Sequence, residues 1–330
     1  MRRGLAILIV SAFPIVICGN TNAKGQEGKA ECVMEVNSRR ILYESNGDMR
    51  LPMASTTKIA TAITVLELSQ NIEEEVTIPA EAVGIEGSSV YLQEGNRYTV
   101  EELLYGLMLR SGNDCATALA LHCSGTVGDF AAKMNERAKK AGALDTSFKN
   151  PHGLPDDGHY TTARDLTAIS CYAMQNHVFQ KIVSTKYYEP QHWQNKNKML
   201  VYYDGGIGIK TGYTKEAGRC LVSAAKRNGM TLVCTLLNCP TTYERTSTLL
   251  DDAFACYQMT KLLSEGEKFT VDNTLGVSFE EFSYPLSRGE EEAVEYRITP
   301  LKMHENKEII GHLEISLSKW LLFSTNLYKL

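Results

Sequence analysis

Apolar and polar positions follow different periods in successive parts of this chain. Between residues 31 and 44, two short apolar stretches flank a polar turn, which predicts a hairpin. Residues 56–69 carry apolar side chains at helical spacing, so we expect a helix that begins close to Ser55. Residues 99–183 are mostly helical in pattern, and a capping sequence that ends at Asp165 opens one of these helices. We therefore assign Asp165 to a helix cap rather than to catalysis.

The last third of the chain is predicted to be rich in strands. Two strand-like runs, 220–225 and 230–237, are joined by Arg-Asn-Gly, a strong hairpin signal. Residues 244–263 have a helical pattern, and alternating polar and apolar residues then predict a small β-rich module over 265–315. The final segment, 316–330, fits either an interfacial helix in peripheral contact with a membrane or the last strand and tail of the module.

The N-terminus has the layout of a secretory signal. A basic start precedes a mainly apolar run over 5–18, and small residues follow up to Ala23. We expect residues 1–23 to be a signal peptide cleaved after Ala23, with an uncleaved N-terminal anchor as the alternative. The protein would then be exported across the cytoplasmic membrane to the cell wall or the outer face of that membrane, and a large domain would occupy 24–264.

Composition narrows the classes of partner and cofactor. The 330 residues, 43% apolar and 22% charged, can form one large domain and a smaller one. A formal net charge of −5 gives no extended basic field, so no nucleic-acid partner is expected. Eight of the nine cysteines follow the signal and could form disulfides or pack as buried thiols. No metal-binding spacing occurs, so neither a metal nor another cofactor is expected.

The candidate chemistry begins with Ser55-Thr56-Thr57-Lys58, an S-x-x-K motif. At the start of a helix this spacing sets a hydroxyl and an amine on one face, as a nucleophile and its base require. The pKa of Lys58 must fall well below its usual value of about 10.4 before the amine can accept a proton. Burial and a neighbouring cation are the physical means of lowering it.

The order of three motifs carries more information than any one of them. Ser111-Gly112-Asn113 is an S-x-N motif and Lys210-Thr211-Gly212 is a K-T-G motif, and both follow the S-x-x-K motif in that order. A second S-x-x-K match, which ends at Lys319, has no K-T-G after it. The three ordered motifs therefore predict one cleft assembled from distant segments.

With these motifs the chain resembles the low-molecular-weight penicillin-binding proteins that act as D-alanyl-D-alanine carboxypeptidases. The resemblance covers about residues 30–262 and includes His152-Gly153-Leu154. It implies an α+β fold, with a β-lactamase/DD-peptidase-like domain in which an antiparallel sheet is flanked by helices and joined by a helical subdomain. The small C-terminal β-rich module resembles the family's C-terminal domain only loosely.

The resemblance also implies a role for each motif residue. Ser55 attacks the peptide carbonyl, and Lys58 takes its proton. Ser111 relays a proton to the leaving D-alanine, and Asn113 binds the substrate backbone. Lys210 keeps the site electropositive.

Substrate binding is implied at the last motif and further along the chain. The N–H groups of Ser55 and Tyr213 form the oxyanion hole, and Thr211 meets the terminal carboxylate, with Gly212 as a further substrate-binding residue. Arg245 supports that contact or caps its own helix. The implied partners are peptidoglycan stem peptides, with β-lactam antibiotics as covalent inhibitors.

Two rival functions share these motifs. A serine β-lactamase has the same catalytic groups, but a class A enzyme needs a dedicated glutamate, and the corresponding loop holds His152, Asp156 and Asp157 instead. A non-catalytic β-lactam sensor or wall-peptide binder is the other rival. A nucleotide-binding loop fails because Ile209 stands where glycine must precede Lys210. Endopeptidase action on cross-links stays open.

Overall fold

The computed structural model describes residues 27–301 and 308–330. The described chain divides into two compact units, residues 27–227 with 231–253 and residues 254–330 with 228–230. The predicted signal peptide and its cleavage after Ala23 lie outside the described residues. No helix within the described ranges combines the length and apolar character needed to cross a bilayer.

The α-helices of the described residues lie in the larger unit, except that the last three residues of the final helix belong to the smaller one. They are α1 (Lys58–Leu68), α2 (Val100–Tyr105), α3 (Asn113–Ser124), α4 (Val127–Lys140), α5 (Ala163–Ala173), α6 (His177–Ser184), α7 (Met199–Tyr202) and α8 (Thr242–Cys256).

The strands of the described residues form one sheet in each unit and several two-stranded pairs. They are β1 (Ala30–Glu35), β2 (Ile41–Ser45), β3 (Glu75–Thr77), β4 (Arg97–Thr99), β5 (Tyr187–Tyr188), β6 (Trp193–Gln194), β7 (Gly206–Thr214), β8 (Gly218–Arg227), β9 (Met230–Leu237), β10 (Tyr257–Leu263), β11 (Lys268–Val271), β12 (Thr274–Val277), β13 (Phe282–Ser287), β14 (Val294–Pro300), β15 (Ile309–Leu317) and β16 (Trp320–Lys329).

The sheet of the larger unit has the order β2-β1-β9-β8-β7, so strands from both ends of the sequence lie side by side. Every residue of β1 is buried, which requires cover on both faces of the sheet. On one face, Thr167 of α5 donates to Thr235 of β9 at 2.8 Å. On the other, Arg245 of α8 binds Glu31 of β1. The predicted sheet between helices is confirmed.

A helical region lies between α1 and β7 in the sequence and packs around α1. Apolar side chains of α1, such as Ile59 and Ile63, are buried in the same core as those of α3 and α5, including Leu119 and Leu166. Thr162 caps α5 by accepting the backbone N–H of Asp165 at 3.0 Å, as the capping sequence predicts. The two hairpins predicted from the sequence are also present, as β1–β2 and β8–β9.

The smaller unit has a five-stranded sheet of order β11-β12-β16-β15-β14, and β10 pairs with β13. Its core contains Leu263, Leu313 and Leu327. The predicted helix over 244–263 is wrong in its second half, because α8 ends at Cys256 and a strand follows it directly. The expected boundary between residues 264 and 265 therefore moves to residues 253 and 254.

The C-terminal segment is a strand of this sheet. Leu317 pairs with Trp320 across a tight turn, and β16 then runs antiparallel to β15 to Lys329. Of the two alternatives for residues 316–330, the final strand is therefore the one that the structure contains, and the interfacial helix is wrong. Three leucines of this segment, Leu317, Leu322 and Leu327, are buried in the core of the module.

Candidate active site

Ser55 and Lys58 lie together because the chain enters α1 through a short 3₁₀-helix, Ala54–Thr57. In such a helix the side chains at positions i and i+3 eclipse each other. The Nζ of Lys58 is accordingly 3.0 Å from the Oγ of Ser55. Ser55 is half-buried, so a substrate can reach its hydroxyl, whereas Lys58 is fully buried.

The amine of Lys58 has three oxygen neighbours, and among the described residues none of its hydrogen-bond partners is a carboxylate. Besides Ser55, it lies 2.6 Å from Oδ1 of Asn113 and 2.7 Å from the carbonyl of His152. These two oxygens can only accept, so a neutral amine donates its two N–H groups to them. Its lone pair is then left for the hydroxyl of Ser55, which is the geometry of a general base.

Two physical causes favour the neutral amine. Burial lowers the pKa of Lys58 well below its usual value, and the positive charge of Lys210 lowers it further. Lys210 is itself 1% exposed, and burial together with the charge of Lys196 lowers its pKa to about 7. Burial and a neighbouring cation are the two means that the sequence analysis required.

The K-T-G segment of β7 runs directly past the nucleophile. A Cβ placed on Gly212 would lie 3.2 Å from the backbone nitrogen of Ser55 and 3.1 Å from that of Thr56, so a larger residue would crowd this approach. The amine of Lys210 donates to the carbonyl of Thr211 at 3.0 Å. The third motif therefore lines the cleft at Ser55.

The S-x-N segment enters the cleft at a sharp change in backbone direction. A π-helical turn, Gly106–Arg110, ends at Ser111, whose φ of 68° places it in the left-handed region. Such backbone strain concentrates at functional sites. Asn113 then begins α3, and its Nδ2 donates to the carbonyl of Glu86 at 2.5 Å while its Oδ1 meets Lys58.

A loop after α4 completes the cleft, and the sequence analysis assigned it no catalytic part. A Cβ on Gly153 would lie 2.0 Å from the carbonyl oxygen of Ala54, so only glycine fits beside the nucleophile. His159 accepts the N–H of Lys149 at its Nδ1, which leaves its Nε2 to donate to Thr57 at 2.9 Å. The glycine-rich turns of this loop, which the sequence shows, were the available signal.

Comparison with known proteins shows where this geometry belongs. A family model described as D-alanyl-D-alanine carboxypeptidase matches residues 20–241, more than half of the chain. The chain belongs to this family. It is 31% identical over 281 residues to the D-alanyl-D-alanine carboxypeptidase DacF of Bacillus subtilis, which covers 78% of this chain and 72% of that protein. It is 39% identical over 219 residues to a D-alanyl-D-alanine carboxypeptidase of a Streptomyces strain, with 59% and 75% covered.

Solved structures of the family are similar over nearly the whole chain. Penicillin-binding protein 5 of Haemophilus influenzae matches with a TM-score of 0.76 and 28% identity, over 92% of this chain and 96% of that one. Penicillin-binding protein 6B of Escherichia coli matches with a TM-score of 0.77 at 23% identity, over 96% and 99%, which supports the fold. The family and the fold class that the sequence predicts are confirmed.

A third cation, missed by the sequence analysis, borders the site of this family member. The charge of Lys196 helps to lower the pKa of both Lys210 and Lys58. Its backbone N–H donates to the carbonyl of Leu109, in the turn that leads to Ser111. The basic stretch from Asn195 to Lys198, just ahead of the K-T-G strand, was the signal for it.

Arg245 lies elsewhere than the family resemblance implied. Its Nη2 is 2.7 Å from Glu31 and 2.9 Å from the hydroxyl of Tyr43, and its side chain is 3% exposed. Glu31 is on β1, which is separated from β7 by β9 and β8. Strands β1 and β7 are therefore three strand spacings apart in the sheet, a distance of roughly 14 Å. The expected support of the Thr211 contact is corrected, because the guanidinium is held in a buried ion pair.

No group of metal-binding side chains occurs within residues 27–301 and 308–330. Of the cysteines, Cys32, Cys115, Cys171 and Cys234 are fully buried free thiols, and burial raises the pKa of each. For these four, the buried-thiol alternative is the one that the structure contains.

Proposed function

We propose that this chain is a serine-type D-Ala-D-Ala carboxypeptidase that removes the terminal D-alanine from peptidoglycan stem pentapeptides through an acyl-enzyme on Ser55. One observation carries the assignment of the nucleophile and the base. The buried amine of Lys58 lies 3.0 Å from Ser55 Oγ, and two acceptor oxygens occupy its remaining N–H groups. Membership in the carboxypeptidase family supports the choice of substrate.

Acylation uses groups from all three motifs. The Oγ of Ser55 attacks the carbonyl carbon of the penultimate D-alanine while Lys58 takes the hydroxyl proton. The N–H groups of Ser55 and Tyr213 stabilise the oxyanion. The amide C–N bond then breaks, and the proton held by Lys58 passes through Ser111 to the leaving amine of D-alanine. Asn113 has two contacts in this step, because it binds the substrate backbone and also accepts an N–H of Lys58.

Deacylation completes the cycle with water as the second substrate. The amine of Lys58, again neutral, takes a proton from the water that attacks the Ser55 ester and returns it to the Oγ of Ser55 as the ester C–O bond breaks, so the shortened peptide leaves as a carboxylic acid. A β-lactam acylates Ser55 in the same way. It opens its ring without releasing a leaving group, so the drug remains covalently bound and inhibits the enzyme.

The terminal carboxylate of the substrate needs a cation that Arg245 does not supply. Gly212 lies beside Ser55, and Lys210 donates to the carbonyl of the preceding residue, Thr211. Lys196 adds a second positive charge near Lys210. We therefore assign the carboxylate to Thr211 and Gly212, with Lys196 and Lys210 as its electrostatic partners.

The rival β-lactamase function lacks the dedicated carboxylate base that a class A enzyme uses for rapid deacylation. In the described residues no carboxylate is hydrogen-bonded to Ser55 or Lys58. Asp156 and Asp157, in the loop where a β-lactamase would hold such a group, are exposed. Slow release of bound penicillin is therefore expected.

The test is incubation of the enzyme with a disaccharide pentapeptide, followed by mass analysis. Loss of one alanine, abolished by Ser55→Ala, is the expected result. Penicillin labelling without peptide turnover would support the sensor function instead. Rapid steady-state hydrolysis of a β-lactam would support the β-lactamase.

Localisation completes the proposal. Export, with residues 1–23 as the signal peptide, would bring the enzyme to its peptidoglycan substrate. N-terminal sequencing of the exported protein checks the cleavage after Ala23. We assign the peripheral membrane contact to the β-rich module, where Phe279 and Leu330 are 59% and 62% exposed. Sedimentation with anionic lipid vesicles, compared between wild type and Phe279→Ser, tests that contact.

A further inference from the structure

The carboxylate of Asp114 is a buried group that the proposed reaction does not use. Asp114 follows Asn113 at the start of α3 and is 1% exposed. Its Oδ2 accepts the hydroxyl of Ser89 at 2.5 Å and the N–H groups of Val90 and Leu92 at 3.0 and 3.2 Å. A buried carboxylate needs compensation, and here the donors of a single loop and the N–H groups at the start of α3 supply it.

The loop that supplies these donors comprises residues 84–92, and we call it the Asp114 loop. It contains no helix or strand, and Leu92 is its only buried residue. A segment with so little buried surface has low local stability by itself. Its position therefore depends on the hydrogen bonds that connect it to Asp114 and Asn113.

Asn113 is attached to the same loop by its backbone and by its side chain. Its backbone N–H donates to the carbonyl of Ser88 at 2.7 Å, and its Nδ2 donates to the carbonyl of Glu86 at 2.5 Å. A Cβ on Gly87 would lie 2.9 Å from this Nδ2, at a φ of 91°, so the close approach requires glycine. The amide of the S-x-N motif therefore packs directly on the Asp114 loop.

The carbonyl of Glu86 determines which end of the Asn113 amide faces Lys58. A carbonyl oxygen can only accept, so it binds the NH2 end of the amide and leaves Oδ1 for the amine, 2.6 Å away. In the reversed orientation two oxygens would oppose each other at the loop, and the NH2 would donate to the lone pair of Lys58. That lone pair takes the proton of Ser55, so a reversed amide would disable the base.

We infer that Asp114 is a positioning residue for acylation. Its carboxylate holds the Asp114 loop in place, and the loop in turn fixes the amide of Asn113 in the orientation that leaves Lys58 able to act as a base. The inference rests on the proposed function, because it adds a residue to the same site. A purely structural role of Asp114 is different, since only the positioning role requires its effect on Ser55 to pass through Asn113.

A double-mutant cycle separates these two roles. The variants are Asp114→Asn, Asn113→Ala and the two combined, and the readout is the second-order rate constant for penicillin labelling of Ser55, a single acylation step. We expect Asp114→Asn to lower this constant about 10- to 100-fold, a partial loss of the contribution of a general base. In the Asn113→Ala background the same change should lower it by less than about twofold, because no amide remains to be oriented.

A milder variant covers the case in which Asp114→Asn folds poorly. Ser89→Ala removes one donor and keeps the carboxylate, so the loop loses a single hydrogen bond. We expect it to slow penicillin labelling about two- to fivefold, the range of one such bond. In the Asn113→Ala background it should have no effect.

Asp165→Asn is the matched control for loss of stability. Asp165 is 7% exposed, and its Oδ2 accepts the N–H of Asp145 at 2.7 Å and the hydroxyl of Thr146 at 2.8 Å. It is therefore another buried carboxylate that ties a loop to the start of a helix. Asp165→Asn should lower the free energy of unfolding as Asp114→Asn does, but penicillin should label it at the wild-type rate well below its melting temperature.

Equal losses in both backgrounds would overturn the inference, because Asp114 would then act independently of Asn113. Labelling of Asp165→Asn as slow as that of Asp114→Asn would also overturn it, since a general loss of stability would explain both. D-alanine release tests the proposed function separately. Wild type that penicillin labels but that releases no D-alanine would count against that function, while the labelling cycle would still decide the inference.

Discussion

The Nζ of Lys58 and the Oδ1 of Asn113 lie 2.6 Å apart in a buried cleft, although 55 residues separate them in the sequence. This contact determines which way the amine presents its lone pair, since the carbonyl of His152 receives the other N–H at 2.7 Å. The same asparagine donates its Nδ2 to Glu86, so its orientation is set from both sides. The basicity of Lys58 therefore depends on a neutral side chain at position 113.

Replacing this amide by a carboxylate is the most direct test of the base. In Asn113→Asp the negative charge would raise the pKa of Lys58, and the amine would be protonated at neutral pH. We expect kcat/KM for D-alanine release to fall about 100-fold or more and the ascending limb of its pH profile to move to higher pH. Asn71→Asp, on an exposed loop, is the control. An unshifted pH profile would argue against Lys58 as the base.

The close approach of Gly153 to Ala54 predicts a steric effect on the nucleophile. Gly153→Ala would place a Cβ 2.0 Å from the Ala54 carbonyl oxygen, at a φ of 89°. We expect a loss of about 1–3 kcal/mol in the free energy of unfolding, together with slow penicillin labelling of Ser55. Gly142 has a similar φ of 84°, but a Cβ added there would have no neighbour within 4 Å. Penicillin should therefore label Ser55 of Gly142→Ala at the wild-type rate. Equal labelling by both variants would contradict the packing argument.

The pKa of Lys210, about 7, predicts a descending limb in the pH profile of the free enzyme. Above that pH the amine loses the charge that attracts the substrate carboxylate, so kcat/KM should fall as pH rises. Lys196→Gln removes a positive neighbour, which raises the pKa of Lys210 and moves this limb to higher pH. The KM should rise as well. The measurement is kcat/KM between pH 5 and about 10, with Lys139→Gln, at an exposed position of α4, as control. A descending limb that stays in place in Lys196→Gln would contradict its assignment to Lys210.

The buried pair of Arg245 and Glu31 predicts a stability effect without a binding effect. Arg245→Leu leaves a buried carboxylate uncompensated, which costs about 3–5 kcal/mol in the free energy of unfolding. The double variant Arg245→Leu with Glu31→Leu should recover most of this loss, because no charge then remains. Denaturant unfolding measures both. The KM for the pentapeptide, taken well below the melting temperature, should stay unchanged, and a large rise at unaltered stability would restore Arg245 to the substrate site.

Local spacing determined a large part of this protein. The hydroxyl and amine of Ser55 and Lys58 meet because three residues separate them at a helix start, and the β8–β9 hairpin forms at an Asn-Gly turn. The cap of α5 is equally local. In each case the interacting groups lie within a few residues, so backbone geometry alone brings them together. The three ordered motifs predicted the family, and the family in turn implied the fold.

Only the tertiary structure decided which distant groups surround those local features. Besides Asn113, Lys58 donates to the backbone carbonyl of His152, in a loop. Every residue has such a carbonyl, so no sequence pattern predicts this contact. Arg245 binds Glu31 because α8 covers β1, a packing choice made across more than 200 residues. The strand after Cys256 likewise follows from pairing with β13 rather than from its own pattern. Burial and neighbouring charge depend on every packed element, so the pKa values that make Lys58 a base belong to the fold as a whole.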